Sequence, residues 1–135
     1  MNNRIIKFRA WSTTHKKMYD RVLAGPGDPC SIVYDEERKD WVNFDDACGD
    51  IMQFTGFIDK NGKEIWEGDL LQGRKGVYWM CRWSNDHARF VVVTPNKYNT
   101  TRHTTMIKNM LWAVERLEVI GNIWENSDLL PDAAS

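Results

Sequence analysis

Gln53-Phe-Thr-Gly-Phe-Ile-Asp-Lys-Asn-Gly-Lys-Glu-Ile-Trp-Glu-Gly-Asp69 is the stretch whose reading decides the fold. Three glycine-containing turn signals, at Gly56, Gly62 and Gly68, fall within it. Asp59-Lys-Asn-Gly62 reads as a tight reversal, because Asn and Gly tolerate the positive φ that such turns demand. Glu67-Gly68-Asp69 reads as a second break shortly after it. Short segments between tight turns predict a mainly β chain.

Reading towards the C-terminus, Asp69–Gln72 is a short strand and Gly76–Ser84 a long one. In the long strand Val77, Trp79, Cys81 and Trp83 alternate with Tyr78, Met80, Arg82 and Ser84, so both tryptophans are expected on a buried face. Asn85–His87 turns the chain, and Ala88–Thr94 returns as a strand apolar on both faces. The polar run 95–105 reads as an excursion. Ile107, Met110, Leu111 and Val114 have helical spacing and predict a short helix over 106–115. Leu117–Trp124 is the last strand, broken at Gly121, and Asn126 or Ser127 is placed to cap a final turn at Asp128–Leu130.

Reading towards the N-terminus, Ile5–Trp11 and Lys17–Val22 form strands around the Ser12–Lys16 turn. Gly25–Pro29 is a loop, since its prolines suit neither helix nor central strand. Ser31–Tyr34 and Trp41–Phe44 form a hairpin over Asp35–Asp40. The expected architecture is an N-terminal β lobe at 1–50, a connecting segment at 51–63, a small SH3-like β-barrel at 64–126 and an acidic tail at 127–135.

With 135 residues, 42% of them apolar, the chain can bury a core. Seven tryptophans serve both core and binding surface. No run of about 18 apolar residues suggests a membrane span, and the first residues lack the apolar core of a signal peptide. Cys30, Cys48 and Cys81 are few, odd in number and far apart, which fits reduced thiols in a cytosol. The net charge of −1 hides strong alternation: residues 1–21 carry +5, 28–69 carry −8, 70–110 carry +6 and 111–135 carry −4. Such lobes can neutralise one another within a chain or between copies, or leave a basic patch for an anion.

Catalytic chemistry finds little support. Asp59, Glu64, Glu67 and Asp69 could be read as a metal or acid–base cluster, but the spacing fails a calcium loop, with Leu70 where the closing Glu belongs. His15, His87 and His103 stand in three separate turns with no metal-binding spacing. Nucleotide-cradling and nucleophile-elbow motifs are absent, so no catalytic, cofactor or metal residues are assigned. What remains is basic and aromatic: Arg74, Lys75, Tyr78, Arg82 and Arg89 could share one face and bind single-stranded nucleic acid through phosphates and stacked bases.

Ile6-Lys-Phe-Arg-Ala-Trp11, Lys17-Met-Tyr19, Ile51-Met-Gln-Phe-Thr-Gly56, Asp59-Lys-Asn-Gly-Lys-Glu-Ile-Trp-Glu-Gly-Asp69 and Leu117-Glu-Val-Ile-Gly-Asn-Ile-Trp-Glu-Asn126 together resemble the YopX family, small proteins encoded by bacteriophages and prophages. The blocks are colinear from residue 5 to about 130, with no matching block between Pro95 and Val114. The resemblance implies a mainly β fold with an SH3-type barrel in the C-terminal half, and it carries over no catalytic residues. The combined expectation is a non-enzymatic accessory protein in the cytoplasm of a bacterial host. It would be a homo-oligomer that contacts host or phage proteins and needs no cofactor. The alternative is a nucleic-acid-binding accessory factor working through the Arg74–Arg89 face.

Overall fold

The structure is a computed structural model that describes residues 4–24, 31–44, 50–94 and 106–130. The chain divides into two compact units, Met1–Phe54 and Thr55–Ser135. The described residues are mainly β, with one α-helix and a single 3-10 turn at Ser127–Leu129. The loop expected at Gly25–Pro29, the excursion expected at 95–105, and Cys30, Cys48 and His103 lie outside the described residues.

In the first unit, β1 (Phe8–Ser12) pairs antiparallel with β2 (Lys17–Tyr19) and with the start of β6 (Asp50–Ile58). The opening strand starts later than expected, and Ile5 and Ile6 are 63% and 60% exposed rather than packed. The expected return strand is two, β2 and β3 (Val22–Ala24), separated at Asp20 and Arg21. β3, β4 (Ser31–Asp35) and β5 (Asp40–Asn43) form a three-stranded sheet in that order. Val22, Val33 and Val42 lie opposite one another across it. Val33 joins Ala10 and Tyr19 in the core of this unit, with Phe44 and Ile51 packed around them.

In the second unit, β8 (Asp69–Gln72), β9 (Tyr78–Ser84), β10 (Arg89–Val93), β11 (Ile107–Asn109) and β12 (Glu118–Asn122) form an antiparallel sheet ordered β11-β10-β9-β8-β12. Helix α1 (Met110–Arg116) packs against β10 and β11. Leu71, Trp79, Cys81, Phe90 and Val92 from one face of the sheet meet Met110, Ala113 and Leu117 in the core, with Ile65 of β7 (Glu64–Trp66).

Two expectations need correction here. The segment 106–115 is not one helix: Ile107 and Lys108 pair with Val93 and Val92 as strand, and the helix begins after Asn109. The Asn109 side chain accepts from the Trp112 amide at 2.8 Å and caps the first turn, a role in which Asn is favoured. The buried stripe is Met110, Ala113 and Leu117, whereas Leu111 is 71% exposed. Trp83 is also not core. It is 44% exposed against 6% for Trp79. Alternation fails at the hairpin end of β9, where Arg82 and Trp83 are both exposed, and Trp83 packs edge-on against Phe90 at 5.1 Å.

One turn design recurs. Residues 13–16, 36–39 and 85–88 connect paired strands, and each turn ends on a positive φ, at Lys16, Lys39 and Ala88. The residue before each turn caps it. Ser12 Oγ accepts from the His15 amide, Asp35 Oδ1 from Glu37 and Arg38, and Ser84 Oγ from His87. Ser and Asp suit this because a short polar side chain can reach back to its neighbours' amides.

The reversal at Asn61-Gly62 is present, with Gly62 at φ +86° and its amide donating to the Asp59 carbonyl at 3.0 Å. Space is not the constraint, since a Cβ there would meet nothing within 4 Å. Gly62→Val is expected to cost about 1–2 kcal/mol from backbone strain alone, while Gly62→Asn costs less. Thermal melts of both variants check this, and an unchanged melting temperature for Gly62→Val would overturn the turn assignment.

Gly121 is needed for a different reason. β12 bulges between Val119 and Gly121, and a Cβ at Gly121 would lie 2.1 Å from Asn126 Oδ1. That oxygen accepts from the Asn122 amide at 3.1 Å. Asn126 therefore closes the bulge rather than capping the last turn, where it makes no side-chain cap bond. Gly121→Ala should cost about 1–3 kcal/mol by displacing that bond. In an Asn126→Ala background the same change should cost much less, and additive losses in the double-mutant cycle would refute the coupling.

Candidate interaction face

The hairpin of β4 and β5 with β3 presents its second face to solvent. Strand alternation puts Val22, Val33 and Val42 inward. On the outer side stand Leu23 from β3, with Arg21 just ahead of that strand, Ile32 and Tyr34 from β4, and Trp41 and Asn43 from β5. Leu23 is 59% and Trp41 37% exposed. Tyr34 and Trp41 face each other across the strands, their rings 5.5 Å apart at 72°. The Arg21 guanidinium carbon lies 4.0 Å from the Tyr34 ring centre and 5.5 Å from that of Trp41. The Tyr34 amide donates to the Arg21 carbonyl at 3.0 Å, which ties the two backbones together.

The hairpin is legible in the sequence, but its aromatic face is not among the sites expected from it. The available signal is Tyr34 and Trp41 equidistant from the Asp35–Asp40 turn, with Ile32 on the same side by alternation.

Beside the inner face lies a cleft of about 540 Å³, lined by Val33, Val42, Tyr19 and Phe44 below and by polar groups of the two hairpin turns above. Its charged groups are engaged with one another. The amide of Arg38, then that of Glu37, with the charges of Lys17 and Arg38, hold the Asp35 carboxyl below the usual range against the effect of its burial. Burial would lower the Lys17 ammonium, but its hydrogen bond to Tyr19 and the charges of Tyr19, Asp35 and Glu37 hold it above its ordinary value. The cleft reads as the footing of two capped turns.

The five basic and aromatic residues singled out from the sequence lie in the second unit. Arg82 and Arg89 are exposed diagonal neighbours, since Arg82 pairs with Val91 and Arg89 with Ser84. Tyr78 is half-buried four residues from Arg82 on the same face, about 13 Å along the strand. Between them Leu70, Val91 and Val93 are almost fully buried. Arg74 and Lys75 are exposed in the turn before β9.

Asp59 is placed by the fold as a structural group. It is 5% exposed, and its carboxylate accepts from the amides of Asn61, Lys63 and Val119, each at 2.8 Å. Asp69 Oδ2 accepts from the Trp66 amide at 2.8 Å. His87 Nδ1 lies 2.9 Å from Ser84 Oγ within the capped turn. Among the described residues no group of three His, Cys, Asp or Glu side chains gathers to hold a metal ion, and no helix is long and apolar enough to cross a membrane.

The molecule is thus a β-rich protein of two compact units carrying an exposed aromatic sheet face. The family model of the YopX protein matches residues 7–131, so the chain belongs to the YopX family. It is similar in structure to protein EF1440 from Enterococcus faecalis, with a TM-score of 0.63 and 26% identity over 95% of this chain and 99% of that one. No curated protein matches the chain.

Proposed function

We propose that this protein is a non-enzymatic accessory protein of a bacteriophage or prophage, acting by protein–protein contact in the cytoplasm of the bacterial host. The observation that carries this reading is the outer face of the β3-β4-β5 sheet. It exposes Leu23 and Trp41 beside Tyr34 and Arg21, and aromatic residues and Arg dominate the energetics of protein interfaces. Family membership supports the phage role. The five antiparallel strands of the second unit are the material for the SH3-like barrel, which we keep as part of the reading.

Nucleic-acid binding is the second reading, and the adjacency of Arg82 and Arg89 favours it. Photocrosslinking decides between the two, with a photoreactive side chain placed at position 41 or at position 89 and expressed in the host. A discrete protein adduct from position 41, absent from position 89, is expected. Nuclease-sensitive adducts from position 89, with none from 41, would replace this reading by the nucleic-acid one.

Self-association belongs to the same proposal and rests on the alternating charges of the chain. Light scattering after size exclusion should give a mass above 15.8 kDa that falls with added salt. A mass of 15.8 kDa at both low and moderate salt would remove it.

A further inference from the structure

We infer that the outer face of the β3-β4-β5 sheet recognises an extended protein segment in which carboxylates alternate with apolar side chains. This inference rests on the interaction reading above and adds the chemistry of the partner.

The strand positions of this face are Leu23, Ile32, Tyr34, Trp41 and Asn43, joined by Arg21 just ahead of β3, with one cation and no anion. Asp35 and Asp40 share the register and face of Val33 and Val42, on the opposite side. Arg21 lies over Tyr34 and beside Trp41, and its guanidinium donates to no acceptor among the described residues. A guanidinium held over an aromatic ring keeps its in-plane N–H groups for a ligand. Their fork geometry matches a carboxylate bidentately. Leu23 and Trp41 supply exposed apolar surface on either side.

The segment is extended because β5 is an edge strand of its sheet. A strand added there gains backbone hydrogen bonds, and its side chains alternate in step with Trp41 and Asn43. Although Arg21 precedes β3, its guanidinium carbon lies 4.0 Å from the Tyr34 ring on the central strand and 5.5 Å from the Trp41 ring of β5, so side chains of a segment added at β5 can reach it over Trp41. A nucleic acid suits this face poorly. The face offers one cation, Arg21, too few for the row of phosphate contacts that sets nucleic-acid affinity, whereas one guanidinium suffices to pair a carboxylate of an otherwise apolar segment.

Three fluorescein-labelled octapeptides test the inference: alternating Leu-Asp, alternating Leu-Asn and alternating Leu-Lys. Each is titrated into the full chain by fluorescence anisotropy. The Leu-Asp peptide should bind about tenfold more tightly than Leu-Asn, which is what one charge-assisted hydrogen-bonding pair is worth, and Leu-Lys should bind most weakly. Arg21→Ala should bring Leu-Asp to the Leu-Asn level and leave Leu-Asn unchanged. Arg21→Lys should recover less than half of the preference, and Trp41→Ala should weaken both. Because these side chains are exposed, the variants should keep the parent melting temperature. Should Trp41→Ala melt early, Leu23→Ser takes its place.

Equal affinity for the three peptides, no binding of any, a preference for Leu-Lys, or indifference to Arg21→Ala would overturn the inference. So would a dimer that Trp41→Ala converts to monomer, which would assign the face to a second copy. A position-41 protein adduct without the Asp preference would defeat this inference alone. Loss of the adduct as well would defeat the interaction reading with it.

Discussion

Trp79→Ala is expected to destabilise the protein by about 3–5 kcal/mol, the range for removing a packed aromatic side chain from a core. Trp79 is 6% exposed and lies near the start of β9, opposite Leu71 of β8. Its ring meets that of Trp112 on α1 at 4.9 Å, so truncation opens a void and also removes a ring pair that holds the helix to the sheet. The surrounding residues, among them Ile65, Leu71 and Ala113 at 0% exposure, have no slack with which to fill it. Trp83→Ala is the control, because Trp83 stands on the same strand but is 44% exposed. Its loss should stay within about 1 kcal/mol, as for most surface substitutions. Equilibrium urea unfolding measures both. Similar losses for the two variants would show that the buried tryptophan has been misplaced.

The second large effect concerns Asp59. Its carboxylate joins the β6–β7 turn to β12 by accepting from Asn61 and Lys63 through Oδ1 and from Val119 through Oδ2. Asp59→Ala leaves three amides without their acceptor. It should cost about 2–3 kcal/mol, since hydrogen bonds to a charged group are worth more than neutral ones and the three bonds are part-buried. Asp59→Asn keeps the shape but turns an N–H₂ towards one set of donors, so about 1–2 kcal/mol should be lost.

The same group makes stability depend on pH. Burial alone would raise the Asp59 carboxyl, but the amides of Val119, Lys63 and Asn61, then the Lys63 charge, outweigh it and hold it below the usual carboxylate range. A carboxyl depressed in the folded state contributes stability that is complete above its unfolded value, about 3.9, and is lost as pH falls through the lower folded value. The wild type should therefore lose stability more steeply than Asp59→Asn below about pH 4. Parallel stability curves for the two proteins across that window would refute the role.

Asn61-Gly62 is readable from the chain because positive φ is a local demand met by few residues. The β4–β5 hairpin, β8 and the β9–β10 pair are readable for a similar reason: period-two alternation and turn chemistry act over a few neighbours. The YopX family is legible too, because its blocks run nearly the length of the chain.

The start of α1 is not legible, since Ile107 and Lys108 fit a helix locally and become strand by pairing with Val93 and Val92 of β10. Nor is the exposure of Trp83, because its alternation promises burial that only cover from another element could supply. Asp59 reads in the sequence as the start of a tight reversal, and it becomes a tie to β12 only once the fold brings Val119, sixty positions away, to its Oδ2. The aromatic face needs Tyr34 of β4 and Trp41 of β5 in register, with Arg21 brought over both from just ahead of β3. Turns, most strands and the family follow from residues that are neighbours in the chain, and so the chain alone suffices to read them. Which side chains are buried, capped or left facing a partner is decided by folding, because burial and long-range hydrogen bonds depend on residues that are far apart until the chain folds.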